Sequence, residues 1–335
     1  AWEPFEVFES RPSANGSWNP RPIQDEKKLA YGAFPLQAPG GQPEKTPSGR
    51  LHRCIKEAVL SVEYPLPLPD ASDEVAYALD AWLAFGGIGG RTRRGFGAVE
   101  CVSRLVDPRA VIERVQAIPG TPLPGVPSLK AARLEMRPTT DRDALAMLDD
   151  AIERMRLFRQ GQRQEGGAGR RNGVGPKAGR SLWPEPETIR WTTMDSQRGH
   201  DDRPVGVAKF PRAVFGMPII FHFNAETEPA DSTLTPDGKE RMASPLILRP
   251  YRASASTYGA LALVLHDPDR AAMQVVLDHE QPQGRRSPAP RASKRKAVDA
   301  PTPVRHTLNA DEAVKITALK GNPDVLGAFL TFFAK

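Results

Sequence analysis

Cysteine is nearly absent. Cys54 and Cys101 are the only two in 335 residues, and neither stands at a CxxC or Cys/His spacing. A disulfide scaffold and a sequence-legible zinc site are thereby excluded, and reduced thiols in a cytoplasmic protein are expected. Long apolar runs are missing as well. None approaches the ~20 residues that cross a bilayer, and no leader pattern opens the sequence, so no membrane partner is expected. The phosphate motif GxxxxGK[ST] occurs nowhere. Histidine is sparse, at His52, His200, His222, His266, His279 and His306, and none is spaced from a Tyr, Ser or Lys in an acid–base pattern. His222 reads as a satisfied core histidine in an apolar strand, and His200-Asp201-Asp202 as an exposed polar turn. No nucleophile triad is legible. The expectation is a chain with no catalytic residue, no metal and no cofactor, although catalytic groups converge in space rather than in sequence.

What is present is concentrated in Phe85-Gly86-Gly87-Ile88-Gly89-Gly90-Arg91-Thr92-Arg93-Arg94-Gly95-Phe96-Gly97. A glycine-rich backbone can lie close against another molecule, and arginine forks and aromatic faces suit phosphates and bases. Single-stranded RNA is the expected partner, with Gly86, Gly87, Gly89, Gly90, Arg91, Thr92, Arg93, Arg94, Gly95 and Phe96 as contacts. A solvated charged turn is the alternative. Upstream, Asp73–Phe85 reads as an amphipathic helix capped by Asp70 or Ser72, with Val75, Leu79, Trp82 and Leu83 on one face. Downstream, Ala98–Leu105 alternates like a strand. Helix, loop, strand is the reverse of a dinucleotide or P-loop site. The tail Arg94-Gly95-Phe96-Gly97 follows the RNP1 pattern of RNA-recognition sheets, then leaves it at Ala98 and Cys101.

Charge is uneven. The chain carries net +6, with two segments, 151–180 and 284–296, each about as basic as the remainder is acidic; that clustering suits a polyanion. Residues 1–50 read as irregular, Ala58–Tyr64 as a strand, and 107–138 as a proline-rich connection. A helix follows from Asp141 to Gln160, capped by Thr140, with Leu145, Leu148, Ile152 and Met155 buried. Short strands are expected at Ile219–Phe223, Leu246–Leu248, Ala260–Leu265 and Met273–Leu277, with a turn at Thr235-Pro236-Asp237-Gly238. Two helices close the chain, Asp311–Lys320 and Asp324–Phe333. The fold class is α+β, in two domains: 1–115, ending with the loop and its strand, and 116–335, with basic inserts at 160–180 and 281–303.

The loop resembles the glycine-rich loop of the RAMP superfamily of CRISPR systems. Three later stretches narrow the likeness: Trp183-Pro184-Glu185, the run from Phe210 to Phe223, and that from Arg241 to Pro250. With the loop they resemble the family of the first Cmr subunit of type III-B effector complexes. That resemblance implies tandem ferredoxin-like (RRM-like) domains with long basic loops. It further implies CRISPR RNA and target RNA as partners beside other Cmr RAMP subunits, with target cutting left to a neighbour. Some RAMP relatives cut guide RNA with a histidine-centred site, so an endoribonuclease and a purely structural assembly subunit stand as alternatives. The opening strand and the Gly-Ala-Leu-Arg-type helix start of such proteins are not found, as expected of a truncated beginning or a divergent lineage. Arg212, Arg241 and Arg249 are candidate RNA or subunit contacts, with internal salt bridges as the other possibility. Trp183 reads as core or interface.

Overall fold

The structure, a computed structural model, describes residues 4–5, 7–12, 18–23, 27–36, 51–52, 59–63, 71–137, 143–160, 181–193, 206–223, 229–279 and 304–335. It is α+β, with its paired strands antiparallel wherever the register is given. The chain divides into two compact units. One comprises Ala1–Ala117, Met136–Arg156 and Ile247–Ala262; the other comprises Ile118–Glu135, Leu157–Leu246 and Leu263–Lys335. A three-stranded sheet pairs Ser128–Arg137, Tyr258–His266 and Leu246–Arg252 in that order.

In the first unit the helix Ala71–Phe85 starts with Asp73 and Glu74 against its N-terminal dipole. Its expected apolar stripe is half-buried, while Asp80, Ala84 and Phe85 are the buried positions. A carboxylate at Asp80 is tolerated there because Arg104 and Arg114 both reach it. The core lies elsewhere: Val7, Phe8, Leu29, Ala30 and Ala33 pack with Phe96, Leu148 and Ile152. The last two lie on the helix Ala144–Gln160, whose start is held by Asp143, which accepts from Leu145 N–H at 2.9 Å. Thr140 lies outside the described residues, as do Asp70, Cys54, His200-Asp201-Asp202 and the inserts 161–180 and 281–303.

The second unit carries a four-stranded antiparallel sheet, ordered Val304–Arg305, Gln274–His279, Ser232–Pro236, Ile219–Phe221. Alternate burial along Ser232–Pro236 sends Leu234 into a core with Ile189, Phe210, Met217, Val275 and Leu277. Phe158 is the hub of a separate aromatic cluster with Trp183, Phe215 and Phe329. The fully buried Trp183 donates its indole N–H to the Phe158 carbonyl at 3.1 Å, which places it in the core. At the chain's end the helix Val325–Ala334 is apolar nearly all round and correspondingly buried, with Asp324 capping Gly327 N–H at 3.0 Å.

Several expectations need correction. Ala98–Leu105 forms no strand, and neither does 59–63 of the expected Ala58–Tyr64 strand. Residues 107–138 are not merely a connection: Pro108–Ala117 is a helix, opened by a proline at its first position and by Asp107 accepting from Arg109 N–H at 2.9 Å. Ser128–Arg137 is a strand. Phe8–Pro12 pairs with Trp18–Pro22 in the region read as irregular, and Glu185–Thr193 is an unexpected helix. The expected helix Asp311–Lys320 is two short pieces, Ala310–Val314 with an Asn309–Glu312 capping box and the 3-10 turn Thr317–Leu319.

Candidate nucleic-acid interface

The glycine loop is a closed structure. Its entry is the end of the helix Ala71–Phe85, where Gly86 N–H donates to the Trp82 carbonyl at 2.7 Å. Ile88 N–H donates to Gly97 O at 2.8 Å, tying the two sides together. Between them Thr92–Arg94 makes a 3-10 turn, bounded by Arg91 at φ 63° and Gly95 at φ 78°. Gly97 also has positive φ, 73°, and a Cβ there would strike the Ile88 carbonyl oxygen. At Gly95 the added carbon would meet Leu148 and lie 2.9 Å from the Leu248 carbonyl. These two positions demand glycine for shape as well as space.

The loop's outer side is different. Ile88, Gly89 and Gly90 are exposed, and no atom lies within 4 Å of where a Cβ at Gly89 or Gly90 would sit. The result is bare backbone on a fixed base.

The arginines divide by task. Arg91 donates from Nε to the Gly32 carbonyl at 2.9 Å, and burial lowers its pKa. Arg94 is buried at 8% exposure and donates to Arg93 O at 3.1 Å. Arg93 and Thr92 are half-buried on the turn between them. Phe96 is buried in the first unit's core beside Ile152 and Leu29, where the ring anchors the loop from beneath.

Arg249 proves central to the same structure. Its guanidinium, 3% exposed, donates to Gly86 O at 2.6 Å and Val99 O at 2.9 Å, the two ends of the loop. Burial pushes its pKa down to about 10. Three residues on, Arg252 donates to the Cys101 carbonyl at 3.4 Å. The Val99 and Cys101 carbonyls, which a neighbouring strand would take, are thus occupied by two side chains. That is why the alternating segment Ala98–Leu105 has no ladder.

The other candidates lie in the second unit. Arg212 is an internal ion pair: its Nε is 3.2 Å from the fully buried Glu185, and its Nη1 donates to Arg159 O at 3.1 Å. Arg241 is exposed. His222 corrects an expectation: it faces outward, its ring 66% exposed and 2.7 Å from Asp231. Its strand alternates, with Phe221 inward and Ile220 and His222 outward. Missed by the sequence were Gly97, legible afterwards in the Gly95-Phe96-Gly97 alternation, and Gly32, whose carbonyl gives no sequence signal.

Residues 38–100 match the family model of the RAMP superfamily, a span that includes the helix Ala71–Phe85 and the whole loop. No curated protein and no solved structure matches the chain. The family match supports a CRISPR-associated, RNA-binding role at the level of that superfamily.

Proposed function

We propose that this chain is a non-catalytic RNA-binding subunit of a type III-B (Cmr) CRISPR effector ribonucleoprotein. In that role it contacts the 3′ part of the CRISPR RNA and helps capture target RNA in antiviral defence, in the cytoplasm, beside other Cmr RAMP subunits. Tandem ferredoxin-like domains belong to the same proposal. One observation carries it: the exposed backbone at Ile88–Gly90, on a loop whose ends and turn are locked from within. A sugar–phosphate chain can approach such a surface closely, with Thr92 and Arg93 beside it. Gly86, Gly87, Arg91, Arg94, Gly95, Phe96 and Arg249 then act by holding its shape, while the exposed Arg241 offers a separate phosphate contact.

Gly90→Phe tests the loop directly. There is open space at Gly90, so thermal stability should stay within about 0.5 kcal/mol of the parent. Affinity for single-stranded RNA should fall about tenfold or more, roughly 1.4 kcal/mol. Unchanged affinity in this variant counts against the loop as the contact. Replacing Arg91, Arg93 and Arg94 together is a poorer test, because two of the three hold the fold.

Salt separates RNA binding from assembly. Each phosphate neutralised on a single strand contributes a slope of about −0.7 in log affinity against log salt. A flat salt response would leave only the assembly role. A histidine beside a carboxylate can serve general acid–base chemistry, and His222–Asp231 is an exposed pair of that kind. Loss of repeat-RNA cleavage in His222→Ala would turn the assignment to an endoribonuclease. The broadest test is the RNA that accompanies the purified chain: short species with uniform repeat-derived 5′ ends are expected, and random fragments washed off by moderate salt would overturn the effector assignment.

A further inference from the structure

Between the helix Pro108–Ala117 and the strand Ser128–Arg137 the chain runs Ile118-Pro119-Gly120-Thr121-Pro122-Leu123-Pro124-Gly125-Val126-Pro127. Every residue of this loop is exposed except Pro122, which is half-buried. Its three large apolar side chains stand in solvent: Ile118 at 51%, Leu123 at 70% and Val126 at 50% exposure. No residue from Val115 to Leu129 is charged, in a chain of which 26% is. Single apolar residues scattered on a surface are ordinary, but a contiguous uncharged patch marks a contact with another molecule.

The loop is shaped before anything meets it. Ile118, Thr121, Leu123 and Val126 each precede a proline, which drives them to extended backbone, and each proline fixes its own φ. Lys130 Nζ donates to the Ile118 carbonyl and closes the base. At the tip Val126 N–H donates to Leu123 O at 3.3 Å. Pro124 and Gly125 lie between them, Gly125 at φ 71°, which is the residue pattern of a type II turn. Such a turn holds its first and last residues within about 7 Å of each other. Leu123 and Val126 therefore flank Pro124 as one apolar tip on a fixed stem.

We propose that this tip docks into an apolar, aromatic-lined groove on a neighbouring protein subunit. The inference rests on the effector-subunit role proposed above, and names the surface and the chemistry of one protein contact within it. Proline rings and extended apolar residues are taken up by aromatic-lined grooves, and a backbone already fixed loses little freedom on docking. A few central residues carry most of such a contact, here Leu123, Pro124 and Val126. RNA is the poorer occupant. Its phosphates call for cations, and Lys130, the first cation after the loop, is engaged at its base.

The test labels the full chain with a photogenerated carbene in three states: alone, saturated with single-stranded RNA, and within the ribonucleoprotein purified from its native cells. Trypsin releases the loop as one peptide, Val115–Lys130, on which the label is counted. Labelling should be high in the first two states and fall sharply in the third. In parallel, Leu123→Asp should keep the parental thermal midpoint and RNA affinity while holding its neighbouring subunits about tenfold more weakly. Equal labelling of the chain alone and in the particle, or a variant that holds its neighbours as the parent does, overturns the docking surface and leaves the RNA-binding role standing. Protection by RNA alone, or protection of the isolated chain that grows with its concentration, overturns it too, because the loop then meets RNA or a second copy. If no other protein accompanies the chain, the effector-subunit role fails first, and the docking surface with it.

Discussion

Replacing Gly97 with alanine is expected to be the most damaging single change in the glycine loop. The new Cβ would land on the Ile88 carbonyl oxygen and lie 2.9 Å from its carbon, both of them backbone atoms that no side-chain rotation can move aside. Holding a non-glycine residue at φ 73° already costs about 1–2 kcal/mol. Relieving the overlap also pulls apart the 2.8 Å bond from Ile88 N–H to Gly97 O, for a total of about 3 kcal/mol or more. A thermal midpoint lower by about 5 °C or more, with RNA affinity falling alongside, is the expected result. Gly90→Phe should show the reverse separation: affinity lost, midpoint kept. A Gly97→Ala protein with parental midpoint and affinity would mean that the Ile88 peptide is free to turn, contrary to the closed loop described above.

The second large effect is expected at Arg249. Changing it to leucine strands the Gly86 and Val99 carbonyls, which it meets at 2.6 and 2.9 Å. Each buried orphan costs about 1–3 kcal/mol. Part of this is offset, because the cation removed is one that burial disfavours strongly enough to bring its pKa to about 10. A net loss of about 2 kcal/mol follows, read as a lower denaturant midpoint with faster amide exchange at Ile88. Arg249→Lys should recover only a fraction, since an ammonium is a point donor and cannot span two carbonyls as a planar fork does. Full recovery by lysine would show that charge alone, not the fork, sets the loop. Arg241→Ala, at an exposed site, should leave stability within about 0.5 kcal/mol of the parent.

The elements legible in the sequence were those announced by their own residues. The helix Ala71–Phe85 has its acidic first turn, the helix Val325–Ala334 has Asp324 as its cap, and Pro236-Asp237-Gly238 has its turn chemistry. Missed helices such as Pro108–Ala117 carried local signals of their own, but several failures share a cause, which is that the deciding partner lies far away in the sequence. Ala98–Leu105 alternates as a strand does, but alternation cannot report that Arg249 and Arg252 take its carbonyls. Phe96, two residues after Arg94, has the look of a base contact; its burial depends on Leu29 and Ile152. Arg249 reads from sequence as an RNA or subunit contact or an internal salt bridge, whereas it is buried with the run from Leu246 and its guanidinium is taken by two backbone carbonyls. Inward or outward facing in the short strand at His222 was set by its register against Ser232–Pro236.

The lock on the loop has a consequence in time. Gly86 and Val99 are fastened by a residue 163 and 150 positions further along the chain. During synthesis, at about 5–20 residues per second, the glycines and arginines of the loop leave the ribosome well before Arg249 exists. In that interval the nascent chain carries its cationic segment without the guanidinium fork that gives it shape. Competence to grip RNA therefore arrives late, as a property of the finished polypeptide, and a product terminated before Ile247 would hold every loop residue yet lack the loop.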